Sequence, residues 1–325
     1  MKNSIKKCDS DKDLKKVKRA KARANFFSRQ LPLQSMVLPG VIFMIIFNFL
    51  PIYGLLIAFK NYTVVDTLES AAWVGLENFK IVVKDKYFWQ SIYNTLGISF
   101  LKLLFGFPAP IIFAIMIFEL KDGYFKRIVQ TISYLPHFLS WIVLGGMITR
   151  WLSTNGMVNA LLMKILHGGF MTKPANYLLD ADKYWWIASL SDVWKEAGWG
   201  TVLYLAAMSS IDPNYYEAAR IDGAGKLRQI RSITLPMISR IISMNFILTV
   251  SSLLKSNLDQ TMVLMNSQNQ VKAEVIDSYV YRMGLSQGDF SYATAVGLGV
   301  SIVSVIILVA TNQITKRLNE GESVF

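Results

Sequence analysis

The chain has 325 residues, a formal net charge of +12 and a mean hydropathy of +0.35, with 53% of its residues hydrophobic and 13% aromatic. The apolar residues collect in runs near the roughly 20 residues that cross a bilayer, which excludes a soluble single-core domain. The one cysteine, Cys8, excludes an internal disulfide, and no Cys/His cluster exists for a metal; His137 and His167 read as packed or interfacial residues rather than ligands.

Residues 1–35 are polar and carry 11 Lys and Arg. This stretch is too long and too charged for the start of a signal peptide and reads as a cytosolic tail. Near anionic headgroups each of its cations gains about 1 kcal/mol, so the expected partner is membrane lipid. No binding fold accompanies the charge, so nucleic acid is not expected.

Six apolar stretches follow, near 36–59, 92–118, 128–149, 185–208, 237–258 and 292–311. In hydrocarbon every backbone polar group must be satisfied internally, so each predicts a transmembrane helix. Pro108 and Pro110 predict a kink in the second. Asp192, Lys195 and Glu196 make the fourth the weakest. With the N-terminus inside, the segments on that side hold twenty Lys and Arg and the opposite segments nine, so both termini are expected in the cytosol; most of the bias comes from the tail. The predicted fold class is therefore an all-α integral membrane protein with six transmembrane helices. A membrane domain at 36–315 lies between the tail and a short C-terminal tail at 316–325.

The informative loop spans 209–236. Asp212 suits a helix N-cap and Pro213 the first helical position. Tyr216, Ala219 and Arg220 share helical spacing, Gly223 permits a sharp change of direction, and a basic segment at 226–231 leads to Pro236. Glu217-Ala218-Ala219, Asp222-Gly223-Ala224 and Ile233-Thr234-Leu235-Pro236 resemble the EAA loop of binding-protein-dependent ABC permeases, with every spacing kept. Ile230 stands where that family often has Phe. Leu38-Pro39-Gly40, Trp73 to Phe79 and Leu135-Pro136 resemble the maltose-permease-like carbohydrate-uptake branch, and Trp194 to Trp199 its polysaccharide and oligosaccharide permeases.

The resemblance implies the permease fold of type I ABC importers in a bacterial cell membrane. It implies docking of a separate ATPase through Tyr216, Glu217, Ala218, Ala219, Asp222, Gly223, Ala224 and Ile230. The implied partners are a second permease subunit, most often in a heterodimer, two ATPase copies and an extracellular or periplasmic solute-binding protein. The chain itself is read as no enzyme and as needing no cofactor. Its Gly225-Lys226 pair is followed by Leu227, and Arg220 occupies the position where a phosphate-binding loop needs glycine.

Ionisable groups within spans usually face a cavity or a partner. Asp192 and Lys195 are expected to pair on one helical face, and Trp194 and Trp199 offer faces on which a sugar ring could stack. Asn245, Thr249, Ser252 and Ser256 form a polar stripe on the fifth stretch. The resemblance implies substrate contacts on the spans flanking the loop, at Asp192, Glu196, Trp199, Thr249, Ser252 and Ser256. Ser and Thr also serve helix–helix contacts in membranes. Lys102 is expected to snorkel or pair, whereas Lys195 and Lys255 would suit an acidic oligosaccharide. Two other readings are an ion-coupled secondary transporter, which needs internal symmetry that the sequence lacks, and a non-transporting sensor or scaffold.

Overall fold

The structure is a computed structural model that describes residues 34–165 and 174–318. Cys8, His167, the basic tail up to residue 33 and most of the C-terminal tail lie outside the described residues. Among the described residues, the chain up to Leu56 forms one unit and the chain from Ile57 onward another. The first unit is the helix α1, which runs on to its end within Gln34–Phe59, with apolar side chains exposed on all sides as in a helix that faces lipid.

The second unit is helical with one exception to the all-α expectation. Lys60–Asn61 pairs antiparallel with Ala72–Trp73, and the amide of Asn78 ties this ribbon by donating to the carbonyls of Ala58 at 2.9 Å and Lys60 at 3.0 Å. Its principal helices are α2 (Glu77–Lys84), α3 (Lys86–Glu119), α4 (Tyr124–Phe138), α5 (Trp141–Leu152), α6 (Met157–Ile165), α7 (Tyr184–Ser209), α8 (Pro213–Ile221), α9 (Lys226–Met237), α10 (Ser239–Ser251), α11 (Leu258–Leu264), α12 (Gln270–Ala273), α13 (Ile276–Tyr281) and α14 (Phe290–Leu318).

Prolines shape the long helices in a common way. The π-type turns Ile45–Phe49, Lys102–Gly106 and Ile230–Thr234 each end two residues before a proline, respectively Pro51, Pro108 and Pro236. A proline offers no N–H to the carbonyl four residues back, and its ring collides with that carbonyl. Here the carbonyl belongs to Phe47, Leu104 or Ser232, within each turn. Widening the turn accommodates the ring without ending the helix. The kink expected at Pro108 and Pro110 is thus a widened turn one step earlier.

Three helices, α1, α3 and α14, are long and apolar enough to cross a membrane, or up to five spans if each of two bent pairs counts as one. The stretch at 128–149 is not one continuous helix: α4 meets α5 at a bend of 100°, where the Ser140 side chain accepts the Val143 N–H at 3.3 Å and starts a new helix. The stretch at 237–258 also breaks. α9 and α10 meet at 64°, and α10 ends at Ser251. Ser251 and Ser252 turn their hydroxyls back onto the carbonyls of Leu248 and Thr249, both at 2.8 Å, a competition with the helix ladder that favours unwinding. Asn257 then caps α11 by accepting from the Gln260 N–H at 3.0 Å. α7 has the length of a span, roughly 39 Å at 1.5 Å per residue, but three charges stand in its middle.

α7 packs along α3 at both ends. Ile98, Trp141, Leu144, Ile148, Leu178, Tyr184 and Ala188 form one buried cluster at its start; Ile111, Ala114, Tyr204, Met208 and Ile238 form another at its finish. Gly198 lets α4 approach α7, because a Cβ there would collide with the Ser133 carbonyl.

Candidate translocation cavity and coupling surface

Between α3, α7, α10 and the unwound segment at 252–257 lies a cavity of about 560 Å³. Its walls draw on α3 between Ser99 and Pro110 and on α7 between Asp192 and Tyr204, which are the middle portions of both helices. The unwound backbone lines this cavity through Ser252, Leu253, Lys255, Ser256 and Asn257.

Asp192, Glu196, Thr249, Ser252 and Ser256 all line this cavity. Trp199, the sixth candidate, does not. Its ring stacks on His137, with centroids 4.8 Å apart and planes 4° from parallel, and it is 43% exposed. Glu196 joins the two environments, since its Oε2 meets His137 Nδ1 at 2.6 Å.

Asp192 and Lys195 do not pair as expected. Asp192 Oδ1 meets Lys102 Nζ at 3.2 Å, whereas the buried Lys195 Nζ donates to the His137 carbonyl at 2.6 Å and meets Glu196 Oε1 at 3.1 Å. The pocket beside the bend of α4 supplies an acceptor for Lys195 that its own helix does not. Lys195 is therefore turned away from any solute in the cavity. Lys102 does pair, and it also donates to Oε1 of the buried Gln260 at 3.1 Å. Gln260 is held in turn by the Ala188 carbonyl at 2.6 Å and Ser191 Oγ at 3.0 Å. Lys102, Asn245 and Asp259 are lining residues outside the candidate set; a lysine inside an apolar run was the signal available for Lys102. Asp277 fixes the unwound segment by accepting from Ser256 N at 2.7 Å and Oγ at 2.8 Å. Lys255 is the exposed cation on this wall and has no ion pair among the described residues.

The loop after α7 folds as two short helices. Asp212 accepts the Asn214 N–H at 3.0 Å and Pro213 opens α8. Gly223, at φ 75°, reverses the chain in the left-handed region that glycine adopts without strain, and the Ala224 N–H closes on the Ala219 carbonyl at 2.8 Å. The loop is anchored from beneath. Tyr216 bonds Thr234 Oγ1 at 3.0 Å and packs toward Phe118, Lys226 meets Glu119 at 2.6 Å, and the buried Gln229 donates to the Ala224 carbonyl at 2.7 Å. Glu217, Ala218, Asp222 and Gly223 remain exposed, with Ile221 and Leu227 beside them 86% and 83% exposed. Ala219, Ala224 and Ile230 are half-buried.

At the other end of the bundle, Asp85 caps α3 and accepts from the phenols of Tyr279 at 2.5 Å and Tyr292 at 2.8 Å. Burial pushes its carboxyl up, but these two phenols and the amides of Tyr87 and Phe88 outweigh it and hold its pKa below the ordinary value. Nearby, hydrogen bonds from Arg282 to Glu274, at 2.6 and 3.1 Å, raise the guanidinium further.

A polar cavity beside the membrane-length helix α3, with a loop of largely exposed side chains beyond the finish of α7, is the arrangement of a solute permease. Residues 106–320 match the family described as binding-protein-dependent transport system inner membrane component, and the chain belongs to that family. It is similar to the protein LplB of Bacillus subtilis, 38% identical over 88% of each chain. It is also similar to the polygalacturonan/rhamnogalacturonan transport system permease protein YteP of the same organism, 37% identical over 90% of each. Its fold matches a chain in the crystal structure of a bacterial ABC transporter involved in the import of the acidic polysaccharide alginate, with a TM-score of 0.81 and 34% identity over 90% of this chain and 98% of that one. The family is a transport component and not an enzyme.

Proposed function

We propose that this chain is one of two permease subunits of an ATP-driven importer that brings oligosaccharide or polysaccharide fragments across a bacterial plasma membrane. The mid-depth cavity carries this reading. Its hydroxyls, amides and carboxylates are the groups that take up the hydrogen bonds of a hydroxyl-rich solute. Asp192, Glu196, Thr249, Ser252 and Ser256 contact the sugar in this reading, with Lys102 holding Asp192 in place and Trp199 outside the path.

The fold has six spans in this reading, in the domain limits 36–315, with both termini cytosolic. α7 serves as the fourth span, its charges turned to the cavity and to the His137 carbonyl rather than to lipid. The exposed rim of the coupling loop at 209–236, around Glu217, Ala218, Asp222 and Gly223, docks a separate ATPase. Tyr216, Ala219, Ala224 and Ile230 shape it from behind. ATP-driven closure of two ATPase copies moves the loop and rocks the attached helices between inward- and outward-open states. A solute-binding protein delivers cargo to the opposite end.

The complete transporter, reconstituted with its binding protein, tests this. Uptake of a labelled oligosaccharide is expected to require ATP and to disappear in Glu217→Lys together with co-purification of the ATPase. Uptake that follows a proton or sodium gradient at constant ATP would overturn the reading.

A further inference from the structure

A second cleft lies at the end of the bundle remote from the coupling loop. Ile148 of α5 belongs to the buried cluster around Leu178 and Tyr184, at the start of α7, whereas the coupling loop follows the finish of that helix. One turn beyond Ile148, a cleft of about 910 Å³ opens among Gly146, Thr149, Arg150, Trp151, Ser153 and Asn155. It shares none of its lining residues with the central cavity.

Its charge is unusual. Arg150 is exposed, and its guanidinium has no ion pair or hydrogen bond among the described residues. The chain contains no Asp or Glu between Asp122 and Asp180, so no acid near Arg150 in sequence neutralises it. The loop that presents the cleft is firmly held. Asn159, buried, donates to the carbonyls of Ser153 at 2.8 Å and Ala175 at 2.7 Å, and Trp151 packs edge-on against Trp194 at 6.1 Å. A rigid wall therefore presents an unpaired planar cation, the exposed amide of Asn155 and a half-exposed indole.

We infer that this cleft is an outer subsite for a uronate-bearing oligosaccharide, in which Arg150 takes a sugar carboxylate through a two-pronged contact. A guanidinium matches the two oxygens of a carboxylate in one plane, which gives orientation as well as strength. Asn155 supplies a donor and an acceptor for ring hydroxyls, and Trp151 supplies a face for the ring. The size suits one or two sugar units with the remainder of the chain in solvent. The inference deepens the sugar-import reading and rests on it.

The test uses the complete transporter in nanodiscs, with trigalacturonate and its fully methyl-esterified form as probes. Affinity is expected to fall about ten- to hundredfold in Arg150→Gln and less in Arg150→Lys, and wild-type affinity for the ester is expected to match that of Arg150→Gln for the acid. ATPase stimulation by the binding protein is expected to stay unchanged in Arg150→Gln. Equal affinity of wild type and Arg150→Gln for trigalacturonate, with uptake of that sugar intact, overturns the subsite alone. Loss of binding-protein stimulation with unchanged sugar affinity overturns it in favour of a cleft for a protein carboxylate. Absence of trigalacturonate uptake by the wild type overturns the import reading for this cargo and the subsite with it.

Discussion

Lys102 of α3 and Asp192 of α7 meet at 3.2 Å on the wall of the central cavity, and their side chains are 21% and 22% exposed. Neither partner is fully dry, yet each would lose its one ion-pair partner among the described residues without the other. Lys102 retains Gln260 as a neutral acceptor, so Asp192→Asn is the milder loss and Lys102→Met the harsher one. A double-mutant cycle on the thermal stability of the assembled transporter is expected to give a coupling of about 0.5–3 kcal/mol. Additive effects would mean that the pair contributes no stability of its own.

Gly223 separates docking from stability in the coupling loop. Its positive φ makes Gly223→Ala cost about 1–2 kcal/mol locally, while Gly223→Pro is barred by the fixed negative φ of the ring and also removes the 3.1 Å bond from the Gly223 N–H to the Arg220 carbonyl. The surface around residue 223 is open, so neither variant should disturb the core. Co-purification of the ATPase is expected to weaken in Gly223→Ala and to vanish in Gly223→Pro, with the melting temperature of the isolated permease within about 2 °C of wild type. A permease that loses its own fold in Gly223→Pro would place the loop in the core rather than at an interface.

The two short helices of the loop at 209–236 were legible because their signals are local: Asp212 before Pro213, then a glycine where the chain must reverse. Apolar length likewise located α1, α3 and α14. The bends were not legible, because Leu139 and Ile238, the residues at the two breaks, are apolar and leave hydropathy unchanged. What marks the break is Ser140 capping a new start in one case and Ile238 leaving helical geometry, at ψ 3°, in the other. The cavity was legible residue by residue but not in its pairing. Helical spacing offered Lys195 to Asp192; only the packing of α3 on α7 brought Lys102 closer, and only the bend of α4 exposed the His137 carbonyl to Lys195. Trp199 lies off the cavity lining for the same reason, since its stacking partner arrives from that bend.

Gly198 provides a packing test away from both the cavity and the loop. The Ser133 carbonyl lies where a Cβ would sit, and it is backbone that cannot swing aside. Gly198→Val must push α4 and α7 apart, which at a close helix crossing costs about 1–3 kcal/mol. The expected result is a lower melting temperature with a weakened His137–Trp199 stack, read as a change in tryptophan fluorescence. An unchanged melting temperature would show that the crossing has slack.

Asp85 makes the fold sensitive to acid. Its carboxylate is held below the ordinary pKa by phenols from α13 and α14, which tie those helices to the start of α3. A depressed folded-state pKa stabilises the protein above the unfolded value, near 3.9, and that contribution is lost as pH falls through the lower folded value. Asp85→Asn has no such group to protonate. The gap in melting temperature between wild type and Asp85→Asn is therefore expected to be widest above pH 5 and to shrink steadily toward pH 3. Tyr279→Phe, which removes one donor and leaves Tyr292, is expected to narrow the gap at neutral pH and to move its decline to higher pH. A gap that stays constant across this range would show that the carboxylate contributes only as a neutral acceptor could.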